Sequence, residues 1–497
     1  MDTVWILGDQ LRRDTGALAG HRPGEVRVLM VESDAKLGAG RWHRQRLHFV
    51  LTSMRRFAEE LREEGFAVDY RRAPSLRVGL REHRTEFAPE RVRAMSPMSY
   101  DGRSMLQELD VELVANDQFL CDAETFAAWA NGRKNLKMED FYRWQRQRLE
   151  ILMDGSEPVG GKWNFDADNR EPPPKDGRSW PAPIVDTLDA TDARVIADVA
   201  RRAPGAFGAA PEGLWATTRA GALRRLEQFI EEVLPLFGPH EDAVLADEWK
   251  MAHSALSPYL NLGLLHPREV VDAAHEAHRA GRVPIASAEG FIRQIIGWRE
   301  YVWGLYWLWM PKYRSSNALG AEQPLPAAFL GATTEMACVS SSLGGIEARA
   351  WVHHIERLMI LGNLSLTSGV EPRSLVRWMW RSFIDGAEWV MLPNVLGMAL
   401  YADGGRMSTK PYASGGAYIN RMSDHCGGCR FDPTKRIGEH ACPFTTLYWD
   451  FLARNESALR SNHRLGNQLG SMRKLKDLTA VRERAVDVRS RLVDGSI

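Results

Sequence analysis

Short β-branched runs alternate with helical periodicity over the first 120 residues, and strand patterns nearly vanish beyond about residue 205. That switch limits the fold more than any other feature. Candidate strands lie at 3–7, 26–32, 67–70, 92–95 and 111–114. Between the second and third, Leu47, Val50, Leu51, Met54, Phe57, Ala58 and Leu61 recur at helical spacing before Gly65 supplies a C-cap. This βαβ order predicts an α/β domain with a doubly wound parallel sheet at 1–130. The Gly-, Pro- and Asp-rich GGKWNFDADNREPPPKDGRSWPAP falls within a connection at 131–204. An all-helical part follows at 205–497, with long helices at 220–234, 286–310 and 348–366. No internal repeat is found.

Ligands of such sheets sit at the carboxyl ends of the strands. Here those ends carry Gly8, Asp9 and Gln10, and Glu32 in ESD, with neither a GxGxxG nor a Walker A pattern. An ordinary dinucleotide or ATP site is therefore not indicated. The start MDTVWILGDQ reads as a strand and lacks the basic and apolar regions of a signal peptide, so a cytoplasmic protein is expected. No run of eighteen apolar residues is present, which argues against a bilayer span. The formal net charge of zero neither suggests nor excludes a nucleic-acid partner. Nearly half of the 17 tryptophans fall between residues 298 and 389, where composition favours core filling over base stacking.

Cysteine usage is more pointed. Cys426 and Cys429 form a CxxC, Cys442 follows and precedes Pro443, and Cys338 lies far upstream, while Cys121 is isolated and reads as core. In a reducing compartment such clustering suggests metal before disulfide. Zinc on all four cysteines, or on three with His425 or His440, remains a rival. Three clustered thiols, a remote fourth and a Cys-Pro ending are slightly closer to iron–sulfur ligation.

Several other stretches carry chemistry. In SALSPYLNLG, Ser254 and Ser257 flank a break before Pro258, where hydroxyls and free N–H groups at a helix start bind a phosphate or simply cap. In FIRQIIGWREY, Gln294, Trp298 and Arg299 lie near one another, offering an anion partner and a base-stacking ring. In WVHHIERLM, His353 and His354 are expected about 100° apart on one helix, with Arg357 a turn on. Asp385 is the candidate to neutralise Arg357, and a Gly-rich loop offers Tyr412 and Tyr418 to a flipped base.

In order and spacing, SALSPYLNLG, IIGWREY, HHIERLM, LPNVLGMALYADGG and KPYASGGAYINRMSDHCGGC resemble the photolyase/cryptochrome superfamily. The resemblance is nearest to its bacterial iron–sulfur branch, which includes prokaryotic (6-4) photolyases and bacterial cryptochromes. It implies an antenna domain, a helical domain holding FAD, and a [4Fe-4S] cluster on Cys338, Cys426, Cys429 and Cys442. It further implies a 6,7-dimethyl-8-ribityllumazine antenna near Gly8, Asp9, Gln10 and Glu32. Leu256, Ser257, Gln294, Arg299, Arg357, Asp385 and Asn394 would contact FAD, with Gln294 and Arg299 on its pyrophosphate and ribityl side. His354, beside His353, would donate a proton to a lesion framed by Tyr412 and Tyr418, and Trp378 or Trp380 would carry electrons. UV-damaged DNA is the implied partner of a monomer.

Two positions depart from the pattern. Met391 stands where a polar side chain is expected to face flavin N5, and Met379 follows Trp378 where the branch commonly offers Tyr. Methionine neither donates nor relays a proton. Light-driven repair of (6-4) photoproducts is therefore the expected function, with a blue-light photoreceptor, or a zinc-stabilised nucleic-acid-binding protein without flavin, as the rivals.

Overall fold

The computed structural model describes residues 1–497. Five parallel strands, β1 (Asp2–Ile6), β2 (Val26–Ser33), β3 (Ala67–Ala73), β4 (Val92–Met95) and β5 (Glu112–Val114), form one sheet in the order β3-β2-β1-β4-β5. The order reverses at β1, so the carboxyl ends of β1 and β2 open beside the switch point of a doubly wound sheet. The helix Arg44–Glu63 covers one face, burying the apolar stripe that runs from Leu47 to Leu61. A Cβ at Gly8, just after β1, would stand 2.9 Å from Met54 Sδ, so a side chain there would displace that thioether.

Irregular chain with short turns occupies 155–189, and the connection is helical on either side of it, at Met138–Leu149 and Ala190–Arg202. The second of these helices is clamped to the sheet. Glu32, with a fully buried side chain, accepts from Arg55 Nε at 2.8 Å and Tyr70 Oη at 2.7 Å, and pairs with Arg202. Asp198 binds Arg55 at 2.7 Å and Arg72 at 3.1 Å. Burial pushes the Glu32 carboxyl up, but its arginines and Tyr70 win and hold it below its ordinary value of 4.5. The clamp is therefore fully present above that value and is lost as pH falls through the lowered one. Arg202→Ala, which leaves part of a buried carboxylate uncompensated, is expected to cost about 1.5–3 kcal/mol in denaturant unfolding at pH 7.

Beyond residue 205 the chain is helical, and no helix is long and apolar enough to cross a membrane. The periodic segment 286–310 is one continuous rod in three parts, Ile285–Ile292, a π-helical stretch Arg293–Arg299, and Glu300–Trp309. The segment 348–366 is not one helix. Ala350 takes φ 56°, ending the helix Ala337–Arg349, and regular turns resume only after His353. His353 thus sits in a loop and not on a helix shared with His354, as the periodicity had suggested. The tryptophans largely fill the core: Trp303 stacks on Phe119 at 3.8 Å and Trp389 meets both edge-on.

Candidate functional site

Three π-helical stretches, Arg293–Arg299, Glu356–Gly362 and Pro393–Ala399, carry Gln294 and Arg299, Arg357, and Asn394. A π-turn widens the helix and re-aims side chains, and such turns cluster at functional sites.

The second of these stretches is tied through Arg357 to a hub at Asp385. Its carboxylate accepts from Arg357 Nη1 at 3.0 and 3.2 Å and from Ser257 Oγ at 2.6 Å, while Asn261 Nδ2 donates to its backbone carbonyl at 2.9 Å. Arg357 also donates from Nε to Val352 O at 2.7 Å and lies 4.0 Å over the Phe383 ring. Leu256 is buried just ahead of Ser257, which opens the helix Ser257–Leu262. Met391 is buried one turn before Asn394, whose amide donates to Val390 O at 2.8 Å. Arg46, from the helix covering the sheet, donates to Phe383 O and Ile384 O at 2.9 and 3.3 Å. Burial pulls its guanidinium down to about 10 against the pull of Asp385 and Asp9.

Next to this hub the histidines converge. His353 stacks on His253 at 4.3 Å, and His354 is 5.5 Å from His253 and 5.9 Å from His353. Burial drives both inner imidazoles down, His253 to about 3 and His353 well below its ordinary value, with the neighbouring histidines adding to the shift. His354 differs. Its side chain is 48 % exposed and lies 3.4 Å from Asp242. Partial desolvation against its neighbours lowers its pKa, yet the hydrogen bond and charge of Asp242 outweigh this and the net shift is upward. Of the three imidazoles, His354 therefore holds its proton to the highest pH. Tyr412 and Tyr418 pack with Val244, Leu358 and Met359 against Ile355, the residue that follows His354.

The structure separates Gln294 from Arg299. Gln294 donates to Glu241 Oε1 at 2.7 Å, on the histidine side. Arg299 is buried over Phe119 at 4.1 Å, bonds Glu300 at 3.0 Å, and leaves Nε and Nη2 without partners. Trp298 is half-buried, edge-on to Tyr301. Glu241 and Asp242 escaped the sequence reading because PHEDAV looks like a solvated acidic loop; their one signal is the apolar AVL that follows.

Cys338, Cys426, Cys429 and Cys442 line one small apolar cavity with Met336, Ile419, Phe431, Phe444 and His425, and none is disulfide-bonded. Burial, then the charges of the other three, raises the Cys338 thiol. A Cβ at Gly416 would lie 2.9 Å from Cys442 Sγ, so glycine keeps this wall open. His440 is exposed and lies outside the cavity lining, and Cys121 is buried elsewhere as core. At the sheet, Gln10 Nε2 donates to Met95 O at 3.1 Å, and Glu32 is spent on its arginines. Gln118 Nε2 donates to the Asp9 backbone carbonyl at 3.1 Å, but no side chain bonds the Asp9 carboxylate, and burial pushes that carboxyl up against the charges of Lys36 and Arg46. Trp378 donates to Phe329 O at 2.7 Å and approaches Phe383 at 6.3 Å, whereas Trp380 turns to Trp42 at 5.8 Å.

A doubly wound sheet leading into a helical domain built around a buried Arg–Asp hub beside clustered histidines is the layout of a photolyase-type protein. The chain is 41 % identical over 486 residues, 95 % of its length and 96 % of the other, to the (6-4) photolyase of Agrobacterium fabrum. Residues 4–215 match the model of the deoxyribodipyrimidine photo-lyase-related protein family. Uncharacterized protein R855 of Acanthamoeba polyphaga mimivirus is 32 % identical over 97 residues, covering 20 % of this chain and 72 % of that protein. A solved bacterial class III photolyase from Agrobacterium tumefaciens shares the fold at a TM-score of 0.59 and 16 % identity, over 99 % of this chain and 97 % of that one. The chain belongs to the photolyase/cryptochrome superfamily.

Proposed function

We propose that the protein is a light-driven DNA repair enzyme, a (6-4) photolyase, with FAD in its helical domain. One observation carries this reading: His354, paired with Asp242 and next to the Ile355 cluster that Tyr412 and Tyr418 pack against, stands one helical turn from the Arg357–Asp385 hub. FAD, when bound, supplies on illumination the electron that opens the lesion. Arg357 and Asp385 would hold its polar ring edge, Leu256, Ser257 and Asn394 would complete the seat, and Met391 would leave an apolar contact where a polar one is expected from the family pattern. The two unpartnered nitrogens of Arg299, Nε and Nη2, suit an anionic phosphate.

The protein's own task in a (6-4) reversal is proton handling, because a hydroxyl or amino group must return from one base to the other. His354 protonates that group as it leaves and recovers the proton afterwards, so no proton is consumed. Asp242 stabilises the imidazolium, and the two neutral histidines behind it avoid a competing charge. Tyr412 and Tyr418 offer an aromatic wall to a base whose flipping is cheapest when damage has already weakened its stacking.

The four thiols suit a [4Fe-4S] cluster better than zinc. Tetrahedral zinc at about 2.3 Å from each sulfur requires sulfurs about 3.8 Å apart. The one group of three ligating side chains within 4.8 Å is His253, His353 and His354, so no three of the thiols meet that spacing. At the sheet, Asp9 is the acceptor free to take a ribityl hydroxyl of a lumazine antenna, while Glu32 supports the wall. Trp378 lies on the hub side and Trp380 leads toward Trp42 for electron supply. The protein is expected to act as a monomer in the cytoplasm.

The test is direct. Reduced, cofactor-loaded protein is incubated with oligonucleotides carrying a (6-4) photoproduct or a cyclobutane dimer, in blue light and in darkness, and restored thymines are quantified by chromatography. Light-dependent loss of the (6-4) lesion alone is expected. Repair of neither lesion would remove the reading and leave the photoreceptor.

A further inference from the structure

Glu241 is a buried acid to which the reading above gives no task. Its Oε1 accepts from Gln294 Nε2 at 2.7 Å, and the same amide nitrogen reaches Gly290 O at 3.3 Å. Both amide hydrogens therefore have acceptors. A flipped amide would set oxygen against the Gly290 carbonyl, so the amide orientation is fixed and Gln294 Oε1 is left for another donor. The backbone carbonyl of Glu241 faces His253 Nε2 at 3.1 Å, and its neighbour Asp242 pairs with His354. One dipeptide thus grips an amide, an inner imidazole and the outer imidazole.

We propose that Glu241 is a positioning residue of the lesion pocket: its carboxylate fixes Gln294 with the carbonyl free for a donor on the substrate base, and adds a second negative charge beside the Asp242–His354 pair. This deepens the repair reading and rests on it. The charged and titratable groups facing Glu241 are Arg293, His354, Asp242 and Asp166. Those facing His354 are Asp242, Glu241 and Arg357, with His253 and His353 behind it and Arg170 facing Asp242.

Burial pushes the Glu241 carboxyl up to about 7, and the nearby Arg293 and His354 only partly oppose it. Below that value Glu241 is neutral, and Asp242 alone holds the His354 proton. As pH rises through it Glu241 ionises, and the new charge opposes loss of the neighbouring proton. His354 has a raised pKa, so its acid form is present at low pH and is lost as pH climbs through the folded value. Anionic Glu241 moves that loss to higher pH, and removing its charge moves it lower. The two groups titrate as a coupled set.

Glu241→Gln keeps the size and removes the charge. Holoenzyme is assayed for (6-4) repair across the neutral to alkaline range, alongside NMR of ring-13C-labelled histidine in which the His354 signal is assigned by its loss in His354→Asn. Both the alkaline limb of kcat and the His354 midpoint are expected to move down by about one pH unit, as a nearby charge in a partly buried site does. Glu241→Asp, which restores the charge, is expected to recover most of that shift. An unchanged His354 midpoint with an unchanged alkaline limb overturns the proposal even if the rate falls, because a purely structural loss lowers the rate alike at every pH. Should the wild-type protein repair no lesion, the repair reading fails and the pocket role falls with it. The NMR midpoint needs no substrate and still decides whether Glu241 and His354 are coupled.

Discussion

His354→Ala is expected to lower light-driven (6-4) repair by at least about a hundredfold, the scale of a lost general acid, while flavin content and affinity for damaged DNA stay near wild type. The reason is positional. Of the three clustered histidines only His354 combines an exposed ring with a carboxylate partner, Asp242 at 3.4 Å. His253 and His353 are buried, and burial with mutual repulsion keeps them neutral. They cannot substitute as acids at neutral pH. Because the upward shift of His354 comes from Asp242 winning over burial, Asp242→Asn should imitate the alanine variant at alkaline pH and spare activity in acid. Single-turnover repair across pH checks both: an alanine variant that retains wild-type rates would mean that the proton comes from elsewhere.

How much of this was legible in the sequence depends on the range of the signal. The β1 and β2 patterns and the stripe from Leu47 to Leu61 are local, and they placed the sheet and its covering helix to within a residue or two. His353 and His354 read as helical because nothing in AWVHHIERL announces the left-handed Ala350 that ends one helix before the next begins. The π-helical stretches were equally silent, since one widened turn barely alters a 3.6-residue period. That silence matters for function: seated on a π-stretch, Gln294 faces Glu241 while Arg299 lies under Phe119, although the motif suggests a shared duty. Glu32 was recognisable as a strand-end acid, but its arginines come from positions 55 and 202, and only the folded chain reveals that it is already spent. Cys338 was grouped with the other cysteines from the residues, but its place as the fourth cluster ligand came only from the resemblance; eighty-odd residues of intervening chain carry no spacing rule.

The second large effect is expected at the hub. Asp385 is 6 % exposed and its carboxylate binds Arg357 and Ser257, while the peptide beside it receives Arg46. Both guanidiniums depend on it: Arg357 by direct pairing, and Arg46 through a charge that partly offsets its burial. Replacing the pair by apolar groups would remove both halves of the problem, but Asp385→Ala removes one and strands the other. A buried ion pair broken from one side typically costs about 3–5 kcal/mol, so the variant is expected to lose that much in equilibrium unfolding of the cofactor-free protein. It should also fail to retain flavin through gel filtration. Arg357→Met combined with Asp385→Leu separates the causes. If the loss is electrostatic, the double variant recovers most of the stability without recovering flavin. If it comes from lost packing around Ser257 and Asn261, stability stays low in both, and the hub is then a structural corner whose acid serves the loop and not the arginine.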